Sequence, residues 1–129
     1  MNNAILSIGS NYADRSGKIQ SALEYLDTLG LVLNHTAIYE CPDYIKGGEP
    51  YLNAIVEIET DLNETSFSQR IKAFEIESGR DTLIRLKGYV PLDIDVVIWN
   101  GEVKRPTDFK SAYFQIGFKR LSIKTHKIQ

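Results

Sequence analysis

Asp93 and Asp95 stand two residues apart in "VPLDIDVVIW", Val90 to Trp99, a stretch otherwise apolar. Aspartate is a poor strand former, so two of them inside an apolar strand require a reason. Strand alternation puts both on one face with Val97 and Trp99, and turns Leu92, Ile94, Val96 and Ile98 the other way. Same-face neighbours along a strand lie ~7 Å apart. Two carboxylates so placed repel, and a hard divalent cation between them removes the conflict. Mg²⁺ commonly takes one or two carboxylates and keeps phosphates and water as its other ligands. A solvated strand face whose aspartates pair with lysine or arginine satisfies the same spacing.

Two other groups could serve a ligand. Tyr51 and Asn53 share one face of "YLNAIVEIET". A ring beside a carboxamide suits a flat heteroaromatic molecule, one by stacking and the other by hydrogen bonding. It equally describes an ordinary exposed strand pair. In "FEIESGR", Glu75 lies near a helix end and Arg80 follows Gly79, with Arg85 and Lys87 downstream. Basic residues on a loop beside a metal site are what phosphoryl transfer needs. A solvated charged loop has the same composition. The sequence lacks a G-x-x-x-x-G-K-[ST] phosphate loop, a dinucleotide fingerprint and a G-x-S-x-G serine.

The elements that must position these groups come in a legible order. "NAILSI", Asn3 to Ile8, is a strand that stops at Gly9-Ser10-Asn11. A helix follows, with Ile19, Ala22, Leu23 and Leu26 at helical spacing, Ser16 as its cap and Gly30 at its end. Leu31 to Cys41 reads as one strand, Pro42 to Pro50 as a loop, and Tyr51 to Thr60 as an alternating strand. Asn63 caps a second helix with Phe67, Ile71 and Phe74 inward and Gly79 at its end. Residues 80–89 read as a loop, and Asn100-Gly101 as a hairpin turn into Glu102 and Val103. From Pro106 the pattern is weak. The order β-α-β-β-α-β predicts an α+β domain over residues 1–129, an antiparallel four-stranded sheet with two helices on one face. The other face is then free for a site.

Composition narrows the function. The chain has 129 residues, 43% apolar and 25% charged, as in ordinary globular proteins. A net charge of -2 argues against a phosphate-driven nucleic-acid partner. One cysteine and two distant histidines make a zinc site or an internal disulfide a poor fit. With no basic leader and no apolar run near ~20 residues, the expectation is a cytoplasmic protein with no membrane partner.

"SIGSN", "IYECP", "YLNAIVEIET", Glu75, Gly79-Arg80 and "PLDIDVVIWNGEV", in this order, resemble the hydroxymethyldihydropterin pyrophosphokinase family of folate biosynthesis. The resemblance runs from residue 4 to about 103 and on to Phe118. It implies a ferredoxin-like fold and transfer of a pyrophosphoryl group from ATP to the hydroxymethyl of a reduced pterin, with two Mg²⁺ ions. By resemblance, Asp93 and Asp95 are the metal ligands and, with Arg80, the catalytic residues. Cys41, Pro42, Tyr51, Asn53 and Phe118 match pterin-binding positions, the segment Cys41 to Ile45 lending backbone contacts. Glu75, Arg80, Arg85, Lys87 and Lys110 stand at or near nucleotide-contacting positions.

The departures from the family pattern concern charge. Where the family has Trp-Gly-Pro-Arg, this chain has Lys87-Gly88-Tyr89-Val90. A second loop arginine aligns with Thr82, with Arg85 close by. In "DFKSAYFQIGF", Lys110 stands near a family histidine and Ile116 replaces an arginine. By the resemblance, the expected length of a typical member is about 30 residues greater, a comparison that domain-size priors do not supply. A divergent relative that binds a pterin or nucleotide with little catalysis is therefore the alternative, and an interaction module with relic acids a third.

Overall fold

A computed structural model describes residues 1–41 and 50–128, the side chains of 122–128 excepted. The chain runs β1 (Asn2–Ser10), α1 (Arg15–Leu26), β2 (Leu31–His35), β3 (Tyr39–Cys41), β4 (Tyr51–Thr60) and α2 (Glu64–Glu77). It continues through α3 (Thr82–Leu86), β5 (Asp93–Trp99), β6 (Glu102–Val103), α4 (Pro106–Lys110) and α5 (Ala112–Ile128). One six-stranded sheet has the order β2-β4-β1-β5-β6, with β3 also paired to β4. Every pairing is antiparallel.

Six strands replace the expected four for two local reasons. The run Leu31 to Cys41 is broken after His35. Thr36 leaves the ladder there, and its hydroxyl accepts a hydrogen bond from Ile55 N at 3.1 Å while its own N–H donates to Ile55 O at 2.9 Å. Pairing resumes at Tyr39 opposite Asn53. At the far edge, Asn100 (φ 49°) and Gly101 (φ 80°) make the tight turn that returns the short β6.

Period-two alternation sorts the sheet residues between two cores. Ala4, Leu6, Ile8, Ala54, Val56, Ile58, Leu92 and Ile94 meet Ile19, Ala22 and Leu26 of α1 and Phe67 and Ile71 of α2. Those helices begin at Asp14, whose side chain accepts from Gly17 N, and at Asn63, which accepts from Ser66 N. The cap of α1 is thus Asp14 and not Ser16. Asn63 and Gly79 (φ 109°) bound α2 as expected.

The second face is not free. Ile5, Ile55, Val97 and Ile98 pack there against Phe114 and Leu121 of α5. Helix and sheet approach so closely that a Cβ on Gly117 would collide with Ile55 and the Tyr39 ring. The weakly patterned segment after Pro106 is therefore two helices. Phe114, Phe118 and Leu121 fall at helical spacing, but a short stripe without a strong cap gives little signal before it has a sheet to cover.

A bulge corrects the reading of β5. Leu6 pairs with Val96 and Ile5 with Ile98, so Val97 has no partner on β1. Val97 and Ile98 both face α5, and the alternation reverses beyond them. Trp99, expected beside the aspartates, instead packs on Phe67 in the helix-side core, with ring centroids 5.6 Å apart.

Candidate active site

The sheet lines up the sequence-predicted residues in rows. Gly9 of β1 stands between Asn53 on β4 and Asp93 on β5, and Ser7 stands between Ile55 and Asp95. Directly opposed residues share a face, so Asn53 and Asp93 flank Gly9 about 10 Å apart, two interstrand spacings. Gly9 keeps this floor low. A Cβ there would lie 3.0 Å from Asn53 Oδ1 and 3.4 Å from the Tyr51 ring. Both ends of the row lie on the α5 side of the sheet, on the stretch where small residues line β1.

At one end, Cys41 pairs with Tyr51 and Tyr39 with Asn53. Asn53 is 4% exposed, and its Nδ2 has no hydrogen-bond partner among the described residues. A buried donor whose partner is at best a weak sulfur acceptor is under-satisfied, and an oxygen or nitrogen acceptor on a ligand relieves that cost. The Asn53 amide also lies close enough to the Cys41 sulfur to favour its thiolate, although burial pushes that thiol up overall. Phe118 reaches this face from α5, stacked on Phe114 at 5.3 Å. Pro42 and the loop through Ile45 lie outside the described residues.

At the other end, Asp95 is pushed up to about 8, first by burial and then by the Asp93 carboxylate. Two carboxyl groups held this way suit a hard cation, whose charge removes both penalties. Among the described residues, no group of three or more His, Cys, Asp or Glu side chains is disposed to hold a metal. A cation here would draw its remaining ligands from water and an anionic substrate, which is the habit of Mg²⁺.

Glu75 links this strand to the basic segment. It is 3% exposed at the end of α2. Its Oε2 accepts from Ile94 N at 2.7 Å, and its Oε1 pairs with Arg80 Nη1 at 3.4 Å. β6 pairs only Ile98 and Trp99, so the Ile94 N–H faces the open edge of β5, and Glu75 satisfies it. Burial pushes Glu75 up to about 7, the Ile94 hydrogen bond opposing and the nearby Asp93 charge adding to it.

The expected loop over residues 80–89 contains α3. Asp81 caps it by accepting from Leu83 N at 2.7 Å and Ile84 N at 3.3 Å. α3 buries no side chain, so little packing ties down Arg85. Arg80 and Arg85 line an open groove of about 690 Å³ with Ile76, Thr82 and Leu86. Lys87 caps the C-terminal end of α3, and Lys110 ends α4.

The family model for 7,8-dihydro-6-hydroxymethylpterin-pyrophosphokinase matches residues 5–123. The chain belongs to this family. It is 36% identical over 99 residues to the folic acid synthesis protein fol1 of Schizosaccharomyces pombe, an alignment covering 74% of this chain and 13% of that protein. It is 33% identical over 99 residues to the 2-amino-4-hydroxy-6-hydroxymethyldihydropteridine pyrophosphokinase of Porphyromonas gingivalis, covering 72% of this chain and 66% of the relative. A folate synthesis bifunctional protein of Arabidopsis thaliana is 28% identical over 97 residues, covering 74% of this chain and 20% of its own length. The chain thus spans a small part of two of these relatives and 66% of the third.

Two further residues of this pyrophosphokinase-family chain escaped the sequence reading. Asn11 is fully buried and clamps residues 88–90. Its Nδ2 donates to Gly88 O at 2.9 Å, its Oδ1 accepts from Val90 N at 2.5 Å, and its N–H donates to Val90 O at 3.0 Å. This fixes the backbone at Val90, at the entry to the aspartate strand. Arg105 pairs with Asp95, Nη2 to Oδ1 at 3.7 Å. Neither residue has a local signal. Asn11 reads as a turn residue and Arg105 as part of a charged surface, until the fold brings their partners 79 and 10 positions away into contact.

Proposed function

We propose that this chain transfers a pyrophosphoryl group from ATP to the hydroxymethyl group of a reduced pterin, as a step in folate biosynthesis. The observation that carries the reading is the row Asn53–Gly9–Asp93, which puts a buried carboxamide and a carboxylate pair on one face. Asn53 would read the polar edge of the pterin, with Tyr51 and Phe118 against its ring and the segment from Cys41 and Pro42 beside it. Asp93 and Asp95 would hold Mg²⁺, and we read the pair as serving two ions. Bound Mg²⁺ would neutralise the ATP phosphates and help position the reacting oxygen.

The remaining work falls to this chain's own side chains. Arg80 and Arg85, with Lys87 and Lys110, would hold charge on the polyphosphate. Glu75 would act by fixing Arg80 against β5, since its own carboxylate faces Ile94, Arg80 and the neighbouring Asp93. The pterin hydroxyl oxygen forms a bond to the β-phosphorus, and the bond from that phosphorus to the α–β bridging oxygen breaks. AMP departs and the hydroxyl proton is released to water.

The architecture supports the ferredoxin-like reading. With β2 and β3 counted as one interrupted strand and β6 set aside, the sheet order is second, third, first, fourth, with α1 and α2 on one face. We read residues 1–129 as one such domain, cytoplasmic, with small molecules as its partners. Among the described residues, no helix is long and apolar enough to cross a membrane.

Val90 and Ile116 favour a second reading, a pterin- or nucleotide-binding relative with little turnover, because by the resemblance both stand where the family has arginine. The deciding experiment is incubation with ATP, Mg²⁺ and hydroxymethyldihydropterin. AMP formation above a blank supports catalysis. No AMP at high protein concentration, with calorimetric heat on adding pterin, leaves the binding role.

A further inference from the structure

We propose that Arg105 is the resident counter-ion of the Asp95 carboxylate and yields that place when a divalent cation binds. The inference rests on reading Asp95 as a metal-holding carboxylate and adds a residue that competes for it. Asp95 has a side chain only 17% exposed, and its neighbour along the face is the like-charged Asp93. Whenever both are ionised and no metal lies between them, a neighbouring cation offsets that charge. Arg105 Nη2 lies 3.7 Å from Asp95 Oδ1, an ion-pair distance longer than a good charge-assisted hydrogen bond. The contact is close enough to stabilise the carboxylate and loose enough to exchange.

The guanidinium is held from its other side. Arg105 Nε donates to Asp108 Oδ2 at 2.5 Å, and the Tyr113 hydroxyl of α5 donates to Asp108 Oδ1. Ser111 Oγ also donates to the Asp108 carbonyl at 2.6 Å. Arg105 immediately precedes Pro106, which starts α4, so its backbone position is set by a helix start. Asp108 therefore keeps Arg105 beside the site whether or not Asp95 is engaged. The arginine side chain is 50% exposed and can withdraw into water without being buried elsewhere. A metal ion and a guanidinium on the same carboxylate oxygen would place like charges together, so occupancy by one disfavours the other.

Lys104, one residue earlier, provides the control. It pairs with Glu64 at 3.4 Å and Glu102 at 3.6 Å and not with Asp95, yet its neutralisation changes net charge equally. Mg²⁺ alone is titrated into the unaltered protein, Arg105→Gln, Lys104→Gln and Asp95→Asn, and binding is followed by calorimetry. Arg105→Gln is expected to bind Mg²⁺ roughly two- to fivefold more tightly, the scale of a half-exposed ion pair. Lys104→Gln is expected to match the unaltered protein, and Asp95→Asn to lose binding. In the unaltered protein, the Arg105 Nε–H nuclear resonance should shift with the same half-saturation as metal binding. Equal affinity in Arg105→Gln and the unaltered protein, an equal gain in Lys104→Gln, or an unmoved Arg105 resonance overturns the proposal and leaves the metal site standing. Absence of Mg²⁺ binding in every protein overturns the metal site as well.

Discussion

The Glu75 carboxylate accepts a hydrogen bond from the Ile94 amide at 2.7 Å and holds Arg80 at 3.4 Å, so one buried side chain joins the basic segment to the aspartate strand. Ile94 lies between Asp93 and Asp95, and a shift of Arg80 is therefore coupled to the backbone that carries both carboxylates. Glu75→Gln keeps the size and can still accept from Ile94, but it loses the ion pair. Its turnover should fall by roughly tenfold, while Arg80→Ala falls by ~10²–10³-fold, as removal of a charge-stabilising donor does. Steady-state AMP release measures both, and a Glu75→Gln protein with full turnover would refute the link.

The same carboxyl groups set a pH dependence. Glu75 is raised from 4.5 to about 7 and Asp95 from 3.8 to about 8, both chiefly by burial. In that interval the folded chain binds more protons than the unfolded one, so stability falls as pH rises. The metal-free protein should lose melting temperature steadily from about pH 4.5 to about pH 8. Asp95→Asn should flatten the upper part of that decline. Thermal unfolding followed by circular dichroism across this range tests the sign.

Asn53 carries the prediction for ligand choice. Asn53→Ala should weaken pterin binding by roughly tenfold to a hundredfold, the range for one hydrogen bond in a buried site. Affinity for a non-hydrolysable ATP analogue should hold, because Asn53 lies about 10 Å across the sheet from Asp93. Parallel loss of both affinities, measured by calorimetry, would show that Asn53 supports the fold and not one ligand.

Val90 tests the thinned charge. Its backbone is bonded both ways to Asn11, so a new side chain there starts from a fixed position. Val90→Arg should raise kcat/KM for ATP by roughly tenfold or more by supplying a donor to the phosphates. An unchanged value would mean that the other cations already suffice.

α5 is structural as well as part of the site wall. Phe114 is fully buried between α5 and the sheet. Phe114→Ala should destabilise the chain by ~3–5 kcal/mol in urea unfolding. A loss below ~1 kcal/mol would mean that α5 packs only weakly on the sheet.

Much of this protein follows from interactions between near neighbours in the chain. Alternation in Tyr51 to Thr60 separates Ala54, Val56 and Ile58 from Asn53 and Ile55, and the structure keeps that division. Asn63 caps α2 through its third neighbour, Ser66. The pair Asp93 and Asp95 shares a face because the strand is regular up to Val96. Periodicity and capping act over a few residues, so they are legible without knowing the fold. Trp99 is the counterexample. Its direction depends on a bulge at Val97, where the register of β5 against β1 shifts by one residue. The face expected to be open is half covered by α5, because apolar residues at Ile5, Ile55 and Val97 form a patch only once three strands lie side by side. Glu75 against Ile94, Asn11 against Val90 and Arg105 against Asp95 were settled at the same level. Each is a polar group whose partner is chosen by strand order, by register, or by the return of the chain after a turn. Sequence spacing carries no information about such partners, and only the assembled sheet brings them within hydrogen-bonding reach.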